Sequence, residues 1–266
     1  MPGTGTQTAR AGEVLRHAAA GAGRSPEILG GLGRRAVNLW HHAFATQPLP
    51  PRWLVLGSGA LALAVVASPR IWPVARTAVT IVHEGGHALV ALATGRRLDG
   101  VRLYRSTAGE TLSAGRPYGP GIVLTAAAGY PAPALLGLAA AALLAIGHLT
   151  GLLLLSLVLL AGFAVAIRNA YGMLAVLATA GGIAVVGLFA PTEVQAGFGY
   201  AMTWFLLLGG VRPVVELAHE RRRGRAPRSD ADQLGRLTPL PGAAWVLIFG
   251  LVAVAALALS ARWLVR

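Results

Sequence analysis

The chain consists largely of apolar segments that are about as long as a lipid bilayer is thick. Of its 266 residues, 55% are hydrophobic and only 12% are charged. A helix needs about 20 apolar residues to cross the hydrocarbon core of a membrane, and several segments reach or approach that length. Because hydrocarbon offers no water to satisfy backbone groups, segments of this kind must form helices. The sequence therefore predicts an all-α polytopic membrane protein.

Seven of these segments follow a proline-rich break at residues 48–51. We predict transmembrane helices at residues 53–68, 74–94, 121–147, 149–167, 171–190, 199–217 and 243–264. Residues 1–52 precede them as a polar tail that we expect to be partly disordered or amphipathic, with an amphipathic stretch at residues 28–45. The chain thus divides into a tail, residues 1–52, and a membrane domain, residues 53–266.

The charges of the chain are strongly unbalanced. It carries 23 basic residues, all of them arginine, against 10 acidic ones, which gives a formal net charge of +13. In a membrane protein this excess favours cytoplasmic loops and contact with anionic lipids over nucleic-acid binding. Most arginines fall in the tail and in residues 95–120 and 218–242. We therefore predict a cell-membrane protein, of bacterial composition, with a cytoplasmic N-terminus and an external C-terminus.

The second predicted helix contains the sequence His83-Glu84-Gly85-Gly86-His87. Residues four apart share a helix face, so the two imidazoles converge on one point, where two neutral rings suit Zn²⁺. The glutamate beside them is placed to act as general base toward water. The alternative is a structural histidine pair, but ionisable residues are costly in a membrane and mark functional sites there. We predict that His83 and His87 bind zinc and that Glu84 is catalytic.

Gly85 and Gly86 weaken this helix by about 1 kcal/mol each relative to alanine. Glycine allows another backbone to approach closely because it has no side chain. We therefore expect these two positions to admit a neighbouring backbone, a strand or the substrate near the metal.

An alternating pattern of apolar and polar residues follows the motif helix. It covers residues 100–106 and 110–115, with a turn at residues 107–109, and predicts a β-hairpin. The pattern at residues 83–87 is an HExxH motif, which is typical of metalloproteases. An exposed strand edge beside such a site can bind a substrate as an additional strand. The alternative is a hairpin that only connects two helices.

These features together resemble the site-2 protease group of intramembrane metalloproteases, and more narrowly its M50B-like branch. The resemblance covers residues 53–264 and depends on the HExxH helix, the hairpin, the Ala-Gly-Tyr segment at residues 126–133 and Ser229-Asp230-Ala231. It implies a zinc-dependent protease of regulated intramembrane proteolysis, whose substrate is a transmembrane protein or peptide. The chain differs from well-studied members, which have a Leu-Asp-Gly motif on a transmembrane helix after the hairpin. At the corresponding place this chain has Arg168-Asn169.

The missing motif leaves the third zinc ligand to be found among the few acidic residues. Catalytic zinc has three protein ligands, and without cysteine these must be histidine or carboxylate. The resemblance favours Asp230. Its alternative role is structural, because either Ser229 or Asp230 could cap a helix over residues 231–237. Glu216 and Asp232 are further candidates, although Glu216 is also placed to pair with Arg212 four residues earlier.

Two other functions stay open on the sequence alone. The first is a non-catalytic membrane scaffold that keeps the protease fold, and the second is a metal transporter that uses the His83-Glu84-His87 group as a transit site.

Asn169 is a loose match for a residue that stabilises the oxyanion during peptide hydrolysis. Its alternative role is to cap the turn that it lies in.

Overall fold

The computed structural model describes residues 45–106, 108–226 and 229–266. Within these residues the chain forms nine helices and one two-stranded sheet: α1 (Arg52–Ala67), α2 (Trp72–Ala93), β1 (Arg97–Leu103), β2 (Gly109–Ala114), α3 (Pro120–Ala127), α4 (Pro131–Ala145), α5 (Leu149–Ala166), α6 (Ala170–Phe189), α7 (Thr192–Arg222), α8 (Asp230–Leu237) and α9 (Gly242–Leu264). The predicted helical fold with a small hairpin is confirmed. The tail up to residue 44, with most of the predicted amphipathic stretch at 28–45, lies outside the described residues, and the boundary at residue 52 stays a prediction.

The prediction of seven transmembrane helices is not confirmed. Four helices in the described residues, α5, α6, α7 and α9, are long and apolar enough to cross a membrane, and the number rises to six if each of two bent pairs counts as one span. The first pair, α1 and α2, bends by 104°. Its first member has only 16 residues, or about 24 Å at 1.5 Å per residue, which is shorter than the hydrocarbon core.

Prolines explain both bends. Pro69 follows the end of α1, and a proline disfavours helical geometry in the residue before it. The predicted third span contains a similar break, because α3 ends at Ala127 and α4 begins at Pro131, with an angle of 69° between them. Pro131 cannot donate a helical hydrogen bond but suits the first turn of a new helix. The break places Gly129 and Tyr130 between the two helices.

The hairpin follows α2 directly. Its strands are antiparallel, with Val101 opposite Thr111 and Leu103 opposite Gly109. Val101 and Leu103 are fully buried, so the hairpin is packed into the protein on that face. The predicted hairpin is confirmed, although the strands begin one to three residues before the predicted ones and Thr107 of the turn lies outside the described residues.

The outer edge of β1 is covered by the segment that joins α5 to α6. The Arg168 amide donates to the Val101 carbonyl at 2.9 Å, and Val101 forms a parallel bridge with Ile167. The Asn169 carboxamide accepts a hydrogen bond from the Leu103 amide at 3.2 Å and donates to the Leu103 carbonyl at 2.7 Å. The segment therefore substitutes for a third strand along β1.

The short helix α8 lies outside the candidate spans and packs through one face. Ala231 and Leu234 are buried on that face, in a cluster that includes Ala126 of α3, Leu217 of α7 and Phe249 of α9. This packing fixes the first turn of α8 beside α3, close to the motif helix.

Candidate metal centre

One group of side chains in the described part of the chain has the geometry to hold a metal ion, and it consists of His83, His87 and Asp230. The Nε2 atoms of the two histidines are 3.1 Å apart. The Oδ2 atom of Asp230 lies 3.3 Å from the first nitrogen and 3.2 Å from the second. The three atoms thus form a nearly equilateral triangle, with two corners on α2 and one on α8.

The hydrogen bonding of this triangle leaves lone pairs that a metal ion can use. His87 Nδ1 lies 2.7 Å from the Thr125 carbonyl oxygen. Because a carbonyl can only accept, Nδ1 carries a proton and donates it, so the Nε2 atom of a neutral His87 ring offers its lone pair to the centre. Asp230 Oδ2 is buried without another hydrogen-bond partner. A cation placed among these atoms would therefore be bound by all three residues.

The dimensions of the triangle fit zinc. Tetrahedral coordination with Zn–N bonds of about 2.0–2.1 Å places ligand atoms about 3.3–3.4 Å apart, and the observed separations are 3.1, 3.2 and 3.3 Å. Two imidazoles and one carboxylate are also a donor set typical of catalytic zinc, with the fourth position left to water.

Gly129, in the break between α3 and α4, borders the same space. A Cβ atom added there would lie 2.3 Å from His87 Nε2 and 2.6 Å from His83 Nε2. A side chain at this position would occupy the place that a metal ion needs. The next residue, Tyr130, packs edge-on to the His83 ring with a centroid distance of 4.9 Å and stacks on Phe249.

At the start of α8 the helix cap and the carboxylate near the histidines belong to different residues. Ser229 is the N-cap, and its Oγ accepts from the Asp232 amide at 3.3 Å. Asp230 is consequently not needed as the cap, and its carboxylate joins the two imidazoles.

Glu84 is held by the hairpin. Its side chain is only 4% exposed, and Thr111 Oγ1 donates to its Oε2 atom at 2.6 Å. A Cβ atom added at Gly109 would lie 2.4 Å from its Oε1 atom. Sequence reasoning singled out neither hairpin residue, because alternation identifies a strand but does not show which helix residue it contacts.

The other candidate ligands lie in separate ion pairs. Glu216 accepts from Arg212 at 2.8 Å, as the alternative interpretation of the sequence expected, and also pairs with Arg76 at 3.1 Å. Asp232 pairs with Arg221. Neither acid belongs to the triangle, and Asp230 is the acid that the structure places beside the two histidines.

Two further expectations are corrected by the structure. Asn169 precedes α6 without capping it through its side chain, because its carboxamide binds the backbone of β1 instead. At Gly86 an added Cβ would lie 2.6 Å from the Ala132 Cβ atom, whereas at Gly85 the nearest atom is 3.8 Å away in the Phe163 ring. The expected close approach therefore applies to Gly86 alone.

Comparison with known proteins gives one match. The family model described as Peptidase M50B-like matches residues 56–260. No curated protein and no solved structure matches the chain. The matched region includes α2, the hairpin and the first turn of α8, and thus every residue of the candidate centre.

Proposed function

The chain belongs to the peptidase M50B-like family, and we propose that it is a zinc-dependent intramembrane endopeptidase. Its apolar helices and its family indicate a multi-pass membrane protein. The proposal rests mainly on the clustering of His83, His87 and Asp230. The buried Glu84 lies next to His83 in the same helix. We propose membrane-embedded or juxtamembrane segments of other membrane proteins as the substrates.

The chemistry follows from the residues present. A zinc ion held by His83, His87 and Asp230 would supply Lewis-acid activation of water at neutral pH. The Glu84 carboxylate is placed to accept a proton from an attacking water molecule and to pass it to the leaving nitrogen. Thr111 restrains the Oε2 atom of this carboxylate, so Oε1 is the oxygen that we assign to proton transfer. Burial of Glu84 excludes bulk water from competing for the proton.

The hairpin supports a proposal for substrate binding. Val101 and Leu103 direct backbone groups away from β2, toward residues 167–169. Their partners Thr111 and Gly109 must then direct their own amides and carbonyls to the outer edge of β2. In the described residues no strand pairs with that edge. A substrate that adds to it as a strand would place its peptide bonds beside Glu84, which contacts the same two residues.

The proposal is tested with protein purified in detergent and reconstituted with a single-span membrane reporter. Wild-type protein should bind about one zinc per chain and cleave the reporter. We expect His83→Ala and Asp230→Asn to lose both properties, whereas Glu216→Gln, at a carboxylate outside the triangle, should retain zinc. Stoichiometric zinc that is unaffected by Asp230→Asn would refute the ligand assignment.

The same experiment separates the protease from the scaffold and from the transporter. Glu84→Gln should bind zinc and leave the reporter intact if the chain is a protease. A cellular function that survives Glu84→Gln would favour a scaffold. Zinc flux into proteoliposomes without cleavage would favour transport.

A further inference from the structure

We propose that Arg221, at the end of α7, is the positioning residue for the third metal ligand and thereby sets the metal affinity of the centre. The inference rests on the metal site proposed above and extends it to a residue that does not touch the ion. The three proposed ligands lie on helices of very different length. His83 and His87 lie one turn apart on the 22-residue helix α2, whereas Asp230 begins the eight-residue helix α8.

Arg221 binds the first turn of α8 through two side chains. Its guanidinium forms an ion pair with Asp232, and its Nη1 atom lies 3.5 Å from Ser229 Oγ. Ser229 Oγ in turn donates to Asp232 Oδ2 at 2.8 Å. These two residues flank Asp230 on either side in the chain. A cation that holds both of them fixes the backbone from which the ligand carboxylate extends.

The first residue of α9, Gly242, packs against Arg221 and against α8. A Cβ atom added at Gly242 would lie 2.6 Å from the Arg221 Nη2 atom and 2.9 Å from the Ala231 carbonyl oxygen. The guanidinium is therefore enclosed between the first turn of α8 and the first residue of α9. The side chains of Arg221 and Asp232 are only 20% and 25% exposed, so solvent screens their interaction less than that of a surface pair.

Both carboxylate oxygens of Asp232 are already engaged. The Oδ1 atom pairs with Arg221, and the Oδ2 atom accepts from Ser229 at 2.8 Å. Asp232 therefore does not compete with Asp230 for the metal. The apolar packing of Ala231 and Leu234 holds α8 against its neighbours, and the ion pair adds a polar restraint at the turn that carries Asp230.

Arg222 offers a matched control. It is the next residue of the same helix, and in the described part of the chain it forms no ion pair. Arg221→Gln and Arg222→Gln remove the same charge from neighbouring positions, so a difference between them reports the contacts with α8 and not the net charge. Asp232→Asn removes the same ion pair from the α8 side and provides an independent variant if Arg221→Gln is poorly folded.

The experiment measures zinc affinity by chelator competition, and ligand geometry by the visible absorption of the Co²⁺-substituted protein. Loss of residues that orient metal ligands typically lowers affinity 10- to 100-fold. We expect a loss of at least about tenfold in Arg221→Gln and in Asp232→Asn, an altered Co²⁺ spectrum in both, and partial rescue in Arg221→Lys. Arg222→Gln should bind both metals as the wild type does.

The outcomes separate this inference from the proposed function. Wild-type zinc affinity in Arg221→Gln, or an equal loss in Arg222→Gln, would overturn the positioning role and leave the metal site intact. A wild-type protein that binds neither zinc nor Co²⁺ would overturn both. If Arg221→Gln and Asp232→Asn each weaken binding and the double variant is no weaker than either, the two residues act as one unit.

Discussion

Gly129 offers the sharpest test of the metal centre, because a single methyl group can be aimed at the space between the ligands. In Gly129→Ala the new Cβ atom would lie 2.3 Å from His87 Nε2 and 2.6 Å from His83 Nε2. Non-bonded heavy atoms meet at about 3.5 Å, so the methyl falls about 1 Å short of an allowed contact. Metal–ligand distances tolerate only about 0.2 Å.

The protein has two ways to accommodate this methyl group, and both disturb the metal site. Moving the break between α3 and α4 outward costs about 1–3 kcal/mol of packing energy and carries the Thr125 carbonyl away from His87, which it orients. Moving the imidazoles breaks the triangle directly. We expect zinc affinity to fall at least about 100-fold, equivalent to about 2.7 kcal/mol.

The assay is chelator competition on purified protein, with thermal unfolding in EDTA to measure folding separately. Gly85→Ala is the matched control, because the same methyl at that position meets nothing closer than 3.8 Å. It should leave zinc affinity unchanged. If Gly129→Ala binds one zinc per chain with an affinity within threefold of the wild type, the space beside Gly129 does not hold the metal and the reasoning fails.

Four further predictions use the same preparation. Glu84→Gln should keep its zinc and lose reporter cleavage, which metal analysis and cleavage assays check together. Gly86→Ala should lower stability by about 1–3 kcal/mol, since its Cβ would lie 2.6 Å from that of Ala132, and thermal unfolding beside Gly85→Ala measures the difference. Thr111→Val should reduce cleavage about 10- to 100-fold at unchanged zinc content, because it removes the hydrogen bond to Glu84; an unchanged rate would refute that role. Glu216→Gln should retain zinc but unfold more readily by about 1–3 kcal/mol, because it weakens two charge-assisted hydrogen bonds.

Local sequence patterns predict the parts of this site that lie close together in the chain. The i, i+4 spacing of His83 and His87 fixes their common face on any helix, and the structure has that face. Alternation locates the hairpin to within three residues. Ser229 as a helix cap is likewise a local feature, because the hydroxyl and the amide that it binds are three residues apart.

Contacts between distant segments could not be predicted in the same way. Hydropathy marks residues 121–147 as one apolar run, and it does not register that Pro131 divides the run and brings Gly129 against the histidines. The prediction of seven spans is not confirmed, because hydropathy does not indicate the 104° bend between α1 and α2. The contacts of Thr111 with Glu84, and of Arg221 with Asp232, join elements that only the folded chain places together.

Asp230 differs from the other residues of the candidate centre because it lies outside the candidate spans, on the short helix α8. An aspartate at the centre of a transmembrane helix costs about 2.5–3.5 kcal/mol on insertion, whereas neutral histidines cost less. On α8 the carboxylate reaches the histidines by packing of a short helix against α3, α7 and α9. In the proposed metal centre its desolvation would be offset by the bound cation. Metal binding and docking of α8 would then stabilise each other. The ion pair between Arg221 and Asp232 would favour the docked state before the metal binds, which is the basis of the positioning role proposed for Arg221.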